Sequence, residues 1–332
     1  MRRREFIALL GGSAAAWPRA ARAQQSGERM RRVGVLMGFA ENDPEGKLWF
    51  FSFAQAFQEL GWIDGRNVRI DVRWDASNSD PDQKLAKELV SLKPDVILAH
   101  GTPLTASLQR ETHTIPIVFG AVSDPVGEGF VESLSRPGKN ITGFVFTEGE
   151  MGGKWLEPLK EIAPNITRAA AIFDPDTAPG RGMYYLPSFE AAARSLKVEP
   201  IIARVHNDAE IETAITSLGH EPGGGLVVIG DVFSLGHRGT IISAAARNKV
   251  PAIYFQAGFA REGGLFSYGP DNPNLFRRAA TYVDRILRGA DPAGLPVQVP
   301  IKFVRVLNLK TAKALGISIP QTLQVSADEV VE

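Results

Sequence analysis

The chain has 332 residues, with 37 Lys+Arg against 37 Asp+Glu and no cysteine. The missing cysteines exclude disulfides, thiol nucleophiles, Cys-based metal sites and a lipid-modified Cys anchor, and the charge balance, mildly acidic once the first 23 residues are set aside, argues against nucleic-acid binding, which usually demands a basic face. The length is more than one small domain usually holds and suits two lobes.

Residues 1–23 read as a secretory signal. Arg2, Arg3 and Arg4 form a charged start, residues 6–17 are mildly apolar, and Ala21-Arg22-Ala23 offers small residues at a cleavage site. The Arg3-Arg4-x-Phe6-Ile7 run, with Gly11, Gly12 and Ser13 diluting the hydrophobicity, looks like a twin-arginine signal. The apolar stretch is far shorter than the ~20 residues of a membrane span. The expected mature protein starts at Gln24, is free of the membrane and works in the periplasm. Removing five Arg and one Glu with the signal leaves 32 basic and 36 acidic residues, a formal charge of −4.

The remainder alternates short β-rich runs with helical stretches. Residues 33–37 read as a buried strand, 48–60 as a helix ended by Gly61, and 68–74 as a strand with one wetter face. A helix over 81–92, a strand over 95–99, a helix over 105–112 and a strand over 116–119 follow. The rhythm then restarts, with helices over 151–163, 188–196, 209–218 and 240–248, and strands over 169–173, 200–205, 226–229 and 251–255. Gly223-Gly224-Gly225 reads as a loop. Seams fall near residues 141–144 and 265–269. An amphipathic helix over 275–287, a Pro-rich connector over 291–300, a strand over 302–307 and a helix over 310–315 capped by Asn308 close the chain. The fold class is therefore α/β: two Rossmann-like lobes with parallel sheets, joined by several crossings around a cleft. The first lobe is expected over 31–143 plus about 269–300, the second over 144–268 plus about 301–332.

Such folds bind ligands outside the carboxyl ends of their strands. His100-Gly101-Thr102-Pro103 opens a helix there, where free N–H groups and a hydroxyl favour a carboxylate; an ordinary N-cap at Thr102 fits the same residues. Ser123 and Asp124 stand at the next strand-to-helix turn, and Asp174 and Asp231 at strand ends of the second unit. Each aspartate singly fits a turn or cap; together they suit an ammonium group. Phe39 and Tyr268 are candidate aromatic walls, with Tyr184, Tyr185 and Phe233 nearby in the pattern. The five His residues show no metal-ligand spacing, and no metal or cofactor is expected. No G-x-G-x-x-G, P-loop or G-x-S-x-G motif is present.

Several stretches carry a resemblance. They are Glu59-Leu60-Gly61-Trp62 with Gly65-Arg66-Asn67-Val68, Lys93-Pro94-Asp95-Val96-Ile97, Gly101-Thr102-Pro103, and Ile115-Pro116-Ile117-Val118-Phe119 with Ser123-Asp124-Pro125-Val126-Gly127. Arg136-Pro137-Gly138-Lys139-Asn140-Ile141-Thr142-Gly143, Gly153-Lys154-Trp155-Leu156, Gly263-Gly264-Leu265 with Ser267-Tyr268-Gly269, and residues 308–316 continue it. The chain resembles the TrpX-like substrate-binding proteins of ABC transporters over essentially the whole mature length. The resemblance implies a type I periplasmic-binding-protein fold with a three-crossing hinge. It implies capture of a small molecule, an amino acid or related carboxylate, for delivery to permease and ATPase subunits in the inner membrane, without chemistry on the ligand. The family's cleft positions then fall on Thr102, Ser123, Asp124, Thr142, Asp174, Asp231 and Tyr268. A periplasmic sensory module of the same fold, or an exported α/β enzyme, are the alternatives.

Overall fold

The computed structural model describes residues 29–75 and 81–332, so the signal expected over residues 1–23 lies outside the described residues. The first unit runs β1 (Arg31–Met37), α1 (Pro44–Glu59), β2 (Val68–Trp74), α2 (Pro81–Ser91), β3 (Val96–His100), α3 (Gly101–Glu111), β4 (Ile117–Val122) and β5 (Ile141–Val145). The second runs α4 (Met151–Ile162), β6 (Arg168–Phe173), α5 (Leu186–Ser195), β7 (Glu199–Arg204), α6 (Asp208–Gly219), β8 (Gly224–Val228), α7 (Val232–Gly236), α8 (Arg238–Arg247), β9 (Ala252–Tyr254), α9 (Ala257–Arg261) and β10 (Phe266–Pro270). The chain closes with α10 (Asn272–Leu287), β11 (Phe303–Asn308), α11 (Leu309–Ala314), α12 (Gln321–Ser326) and β12 (Glu329–Val331).

Two sheets result. The first is all parallel in the order β2-β1-β3-β4-β5. The second has the order β12-β11-β10-β9-β8-β6-β7 and is parallel except where β11 runs antiparallel to β10. Strands β3 and β8 are buried along their whole length, as strands covered by helices on both faces must be. Helix α1 starts where Asp43 accepts hydrogen bonds from the N–H groups of Glu45 and Gly46, with Pro44 in the first turn. Its Trp49, Phe53, Ala56 and Phe57 recur at helical spacing and are buried. Helix α10, capped by Asp271, packs against α1 and so belongs with the first sheet although it follows the second in sequence.

Strand β5 stays in the first sheet through Val145, and β10 in the second through Pro270. The chain therefore crosses between lobes after Val145, at Asp271, and between Gln298 and Phe303. Gln298 pairs beside Phe144, and Lys302 bonds Asp271 at 2.7 Å, which ties the crossings together. Gly143 and Gly269, in the stretches expected as seams, each sit at a close approach of neighbouring backbone. A Cβ on Gly143 would stand 2.1 Å from the Phe119 carbonyl oxygen, and one on Gly269 1.8 Å from that of Phe255.

Other sequence expectations also shift. Gly224 and Gly225 are not loop but the start of β8, because a Cβ on Gly224 would meet the Leu218 carbonyl oxygen at 2.3 Å. Helix α3 begins at Gly101, four residues before the expected start. The short α7 and α9 lie in stretches that sequence periodicity left unassigned, being five residues each. Asn308 caps α11 as expected, accepting from the Thr311 N–H at 2.9 Å.

Candidate ligand-binding cleft

The segments after β3 and β4 face those after β6 and β8 across the seam between lobes. They line a half-open cavity of about 30 Å³, room for a water molecule or two. The first-lobe wall is Trp49, the 100–103 turn, Ala121 and Ser123; the second-lobe wall includes Thr177, Asp231 and Val232. Phe146, in the first crossing, and Phe255, after β9, add apolar surface.

On the first lobe, His100 occupies the N-cap of α3 and makes no side-chain cap bond, so the N–H groups of the first turn meet no capping side chain. That end of the helix carries partial positive charge and suits an anion. Thr102 lies inside the first turn, not at the cap. The His100 ring is buried, its Nδ1 accepts from the Gly38 N–H at 3.1 Å, and burial drives its pKa down to about 3. His100 is therefore a neutral wall. Phe39 stacks on it at 4.9 Å with Trp49 edge-on to both rings. Ala121 holds the left-handed conformation, φ 60°, at an irregularity between Gly120 and Val122 in the pairing of β4 with β5. Non-glycine residues enter that region at a cost of about 1–2 kcal/mol, and here the distortion falls on the cavity wall.

On the second lobe, Asp231 caps α7. Its Oδ1 accepts from the Ser234 N–H at 2.5 Å and its Oδ2 from the Asp174 N–H at 3.0 Å. Burial outweighs these bonds and raises its pKa to about 7. The Asp174 carboxyl is also raised by burial, although its Oδ1 accepts from the Asp176 N–H.

The lobes touch at several points around the cavity. Tyr185 Oη lies 2.8 Å from Ser123 Oγ and 2.7 Å from Thr147 Oγ1. Gly180 N–H donates to Glu128, and Arg238 pairs with Asp43 at 2.7 Å while also holding Glu262. Glu45 accepts from Gln256 at 2.8 Å and pairs with Arg261 at 3.4 Å. Gly101 packs against Val232, where a Cβ would be 3.0 Å from Cγ1. This is a closed arrangement of the two lobes.

Of the residues expected from sequence, Thr102, Ser123 and Asp231 line the cavity together. Phe39 stands one layer behind, against His100 and Trp49. Asp174 borders an outer groove and holds Asp231 through its backbone. Three lie elsewhere. Asp124 binds the Gly127 N–H as a turn residue, Thr142 is fully buried and donates to the Leu295 carbonyl at 2.6 Å, and Tyr268 packs its ring against Arg305 and Phe303 of the neighbouring strand β11. Sequence reasoning missed Trp49, which reads as helix core, and Thr177, which stands in an irregular loop. His100 reads from sequence as the residue just after its strand, at the opening of the next helix; the structure makes it the last residue of β3.

Asp174, Asp176 and His206 bring potential ligand atoms within 4.8 Å of one another. Asp176 and His206 are exposed and already paired, with Arg181 and Glu210 respectively, so the cluster reads as a surface charge network.

A family model described as ABC transporter substrate binding protein matches residues 49–331. The chain is 28% identical over 279 residues to a protein of Clostridioides difficile (strain R20291) named Tyrosine-binding protein, covering 84% of this chain and 78% of that one. A conserved domain protein from Vibrio cholerae superposes with a TM-score of 0.83 at 26% identity, covering 91% of this chain and 100% of the other. An ABC domain from Streptococcus pneumoniae, in complex with L-Trp, superposes with a TM-score of 0.82 at 24% identity, covering 91% and 99%. The two-lobed architecture is that of type I periplasmic-binding-protein-like solute binders. Among the described residues no helix is long and apolar enough to cross a membrane. The family captures solutes and performs no catalysis on them, and this chain belongs to it: the ABC transporter substrate-binding proteins.

Proposed function

We propose that the protein captures an amino acid with an aromatic side chain in the interlobe cleft and delivers it, in the periplasm, to the permease and ATPase of an ABC importer. One observation carries the reading: the uncapped start of α3 with Thr102 on one lobe opposes the buried carboxylate of Asp231 on the other, across one cavity. An anion site facing an acid suits the two ends of a zwitterion. The α-carboxylate meets α3, Thr102 and Ser123; the ammonium group meets Asp231. Trp49, Phe146 and Phe255 supply the apolar surface for the side chain. The names of the Tyr- and Trp-binding relatives support the same class.

A cavity of about 30 Å³ is too small for such a ligand, so in this reading the hinge opens and closes again around it. Ligand contact with both lobes shifts the population toward closure. Isothermal titration calorimetry with the twenty amino acids, on protein unfolded and refolded to strip bound solute, tests the reading. Binding of tryptophan, tyrosine or phenylalanine is the expected result. Binding of carboxylates lacking an amine, with no amino acid bound, overturns the role of Asp231. No ligand in either class overturns the zwitterion reading. Fractionation of cells tests the location, where recovery with the cytoplasm would refute it.

A further inference from the structure

Thr177 is more than nine-tenths buried, and its hydroxyl has no hydrogen-bond partner among the described residues. It sits in the loop after β6, where Asp174 binds the Asp176 N–H and the Asp174 carbonyl accepts from Thr177 and Ala178. A buried polar group without a partner is uncommon in folded proteins and calls for an explanation. Its position provides one. Thr177 lines the inner cavity and also the outer groove of about 740 Å³, and it shares that double position with Thr102 and Pro103 alone. These three residues form the neck between the two spaces, with Thr177 on the second lobe and the other two in the first turn of α3 on the first.

We infer that Thr177 is the second lobe's contact to the anionic end of the ligand. This rests on the zwitterion reading above and adds to it which group draws the lobes together. The first turn of α3 selects an anion at the neck. A threonine hydroxyl opposite that anion has a proton to give, and donation to the carboxylate fills the missing bond. Thr102 and Thr177 then grip one carboxylate from both sides. Closure is thereby coupled to the carboxylate, and Asp231 reads the ammonium group separately.

The test compares Thr177→Val and Thr177→Ser with the wild type, using L-tryptophan and tryptamine, which lacks the carboxylate, by calorimetry and thermal shift. T177V is expected to weaken L-tryptophan about tenfold, equal to 1.4 kcal/mol, and T177S to stay within about twofold of wild type. T177V is expected to leave tryptamine within about twofold and the ligand-free melting temperature unchanged or raised, since a hydroxyl without a partner is lost. Wild-type affinity of T177V for L-tryptophan overturns the inference. So does an equal loss for both probes, which removes the carboxylate, and so does a fall in ligand-free melting temperature, which makes the hydroxyl structural. Failure of the wild type to bind any of the twenty amino acids fails the zwitterion reading itself, and the assignment with it.

Discussion

Asp231 makes the ligand-free closed form sensitive to pH, and the sign follows from its surroundings. Burial raises its carboxyl from the ordinary 3.8 to about 7. The Ser234 and Asp174 N–H groups oppose the rise, and the Asp174 carboxylate beside it adds to it. When the lobes open, water reaches the group and its pKa falls back. Between about pH 4 and pH 7 the closed form therefore holds a proton that the open form releases. Closed stability is fully present below the solvated pKa and is lost as pH rises through that window. At 1.36 kcal/mol per pKa unit the rise from 3.8 to about 7 corresponds to about 4 kcal/mol, an upper bound reached only if opening hydrates the carboxylate fully. On the proposed zwitterion reading a ligand ammonium would supply the missing counter-charge, so binding should expel the proton and affinity should rise with pH over the same range. Small-angle X-ray scattering of ligand-free protein from pH 4.5 to 8.5 should show the radius of gyration growing with pH. Asp231→Asn, which keeps an acceptor for Ser234 but cannot ionise, should flatten the curve. A radius independent of pH in the wild type, or an unchanged slope in D231N, would refute the reasoning.

Three further expectations follow from named contacts. Asn308→Ala removes the cap on the Thr311 N–H and a bond from Asn308 to the Ala260 carbonyl, and should cost about 1–2 kcal/mol, read as a lower midpoint in urea with unchanged slope. Asp43→Asn breaks a mostly buried pair with Arg238 that spans the lobes, while Glu262 still holds the arginine; ligand dissociation should quicken by roughly ten- to a hundredfold in stopped flow, corresponding to about 1.5–3 kcal/mol. Gly101→Ala sets a Cβ 3.0 Å from Val232 of the opposite lobe, in a backbone with φ 76°, and should weaken ligand binding more than it lowers first-lobe stability; equal effects on both would show that backbone strain alone is at work.

Local chemistry explains what could be read early. The alternation of buried strands with helices is written in periodicity, and it gave two α/β units because each strand and helix carries its own apolar pattern. Asn308 was legible as a cap because capping acts over three residues. Thr102, Ser123 and Asp231 were legible because strand ends in such a fold face the cleft and the residue types there are polar. The rest depended on partners far away in sequence. Thr142 has the right chemistry for a ligand, yet its hydroxyl is taken by Leu295, 153 residues on. Tyr268 sits between glycines that resemble a hinge, yet Gly269 is there for the approach of the Phe255 backbone. Trp49 carries a helical core pattern, and only the return of the second lobe, with Gln256 reaching Glu45 across 211 residues, makes its neighbourhood a cleft wall.

By itself the sequence determined the fold class, the rhythm of two units, the family and the residue types at the strand ends, since each is set by patterns within a few residues. Tertiary structure alone decided which of those residues share one cavity, which hydroxyls are already occupied and which, as at Thr177, remain unmatched. The physical reason is that burial and hydrogen-bond satisfaction belong to the packed whole, where groups far apart along the chain compete for the same partner.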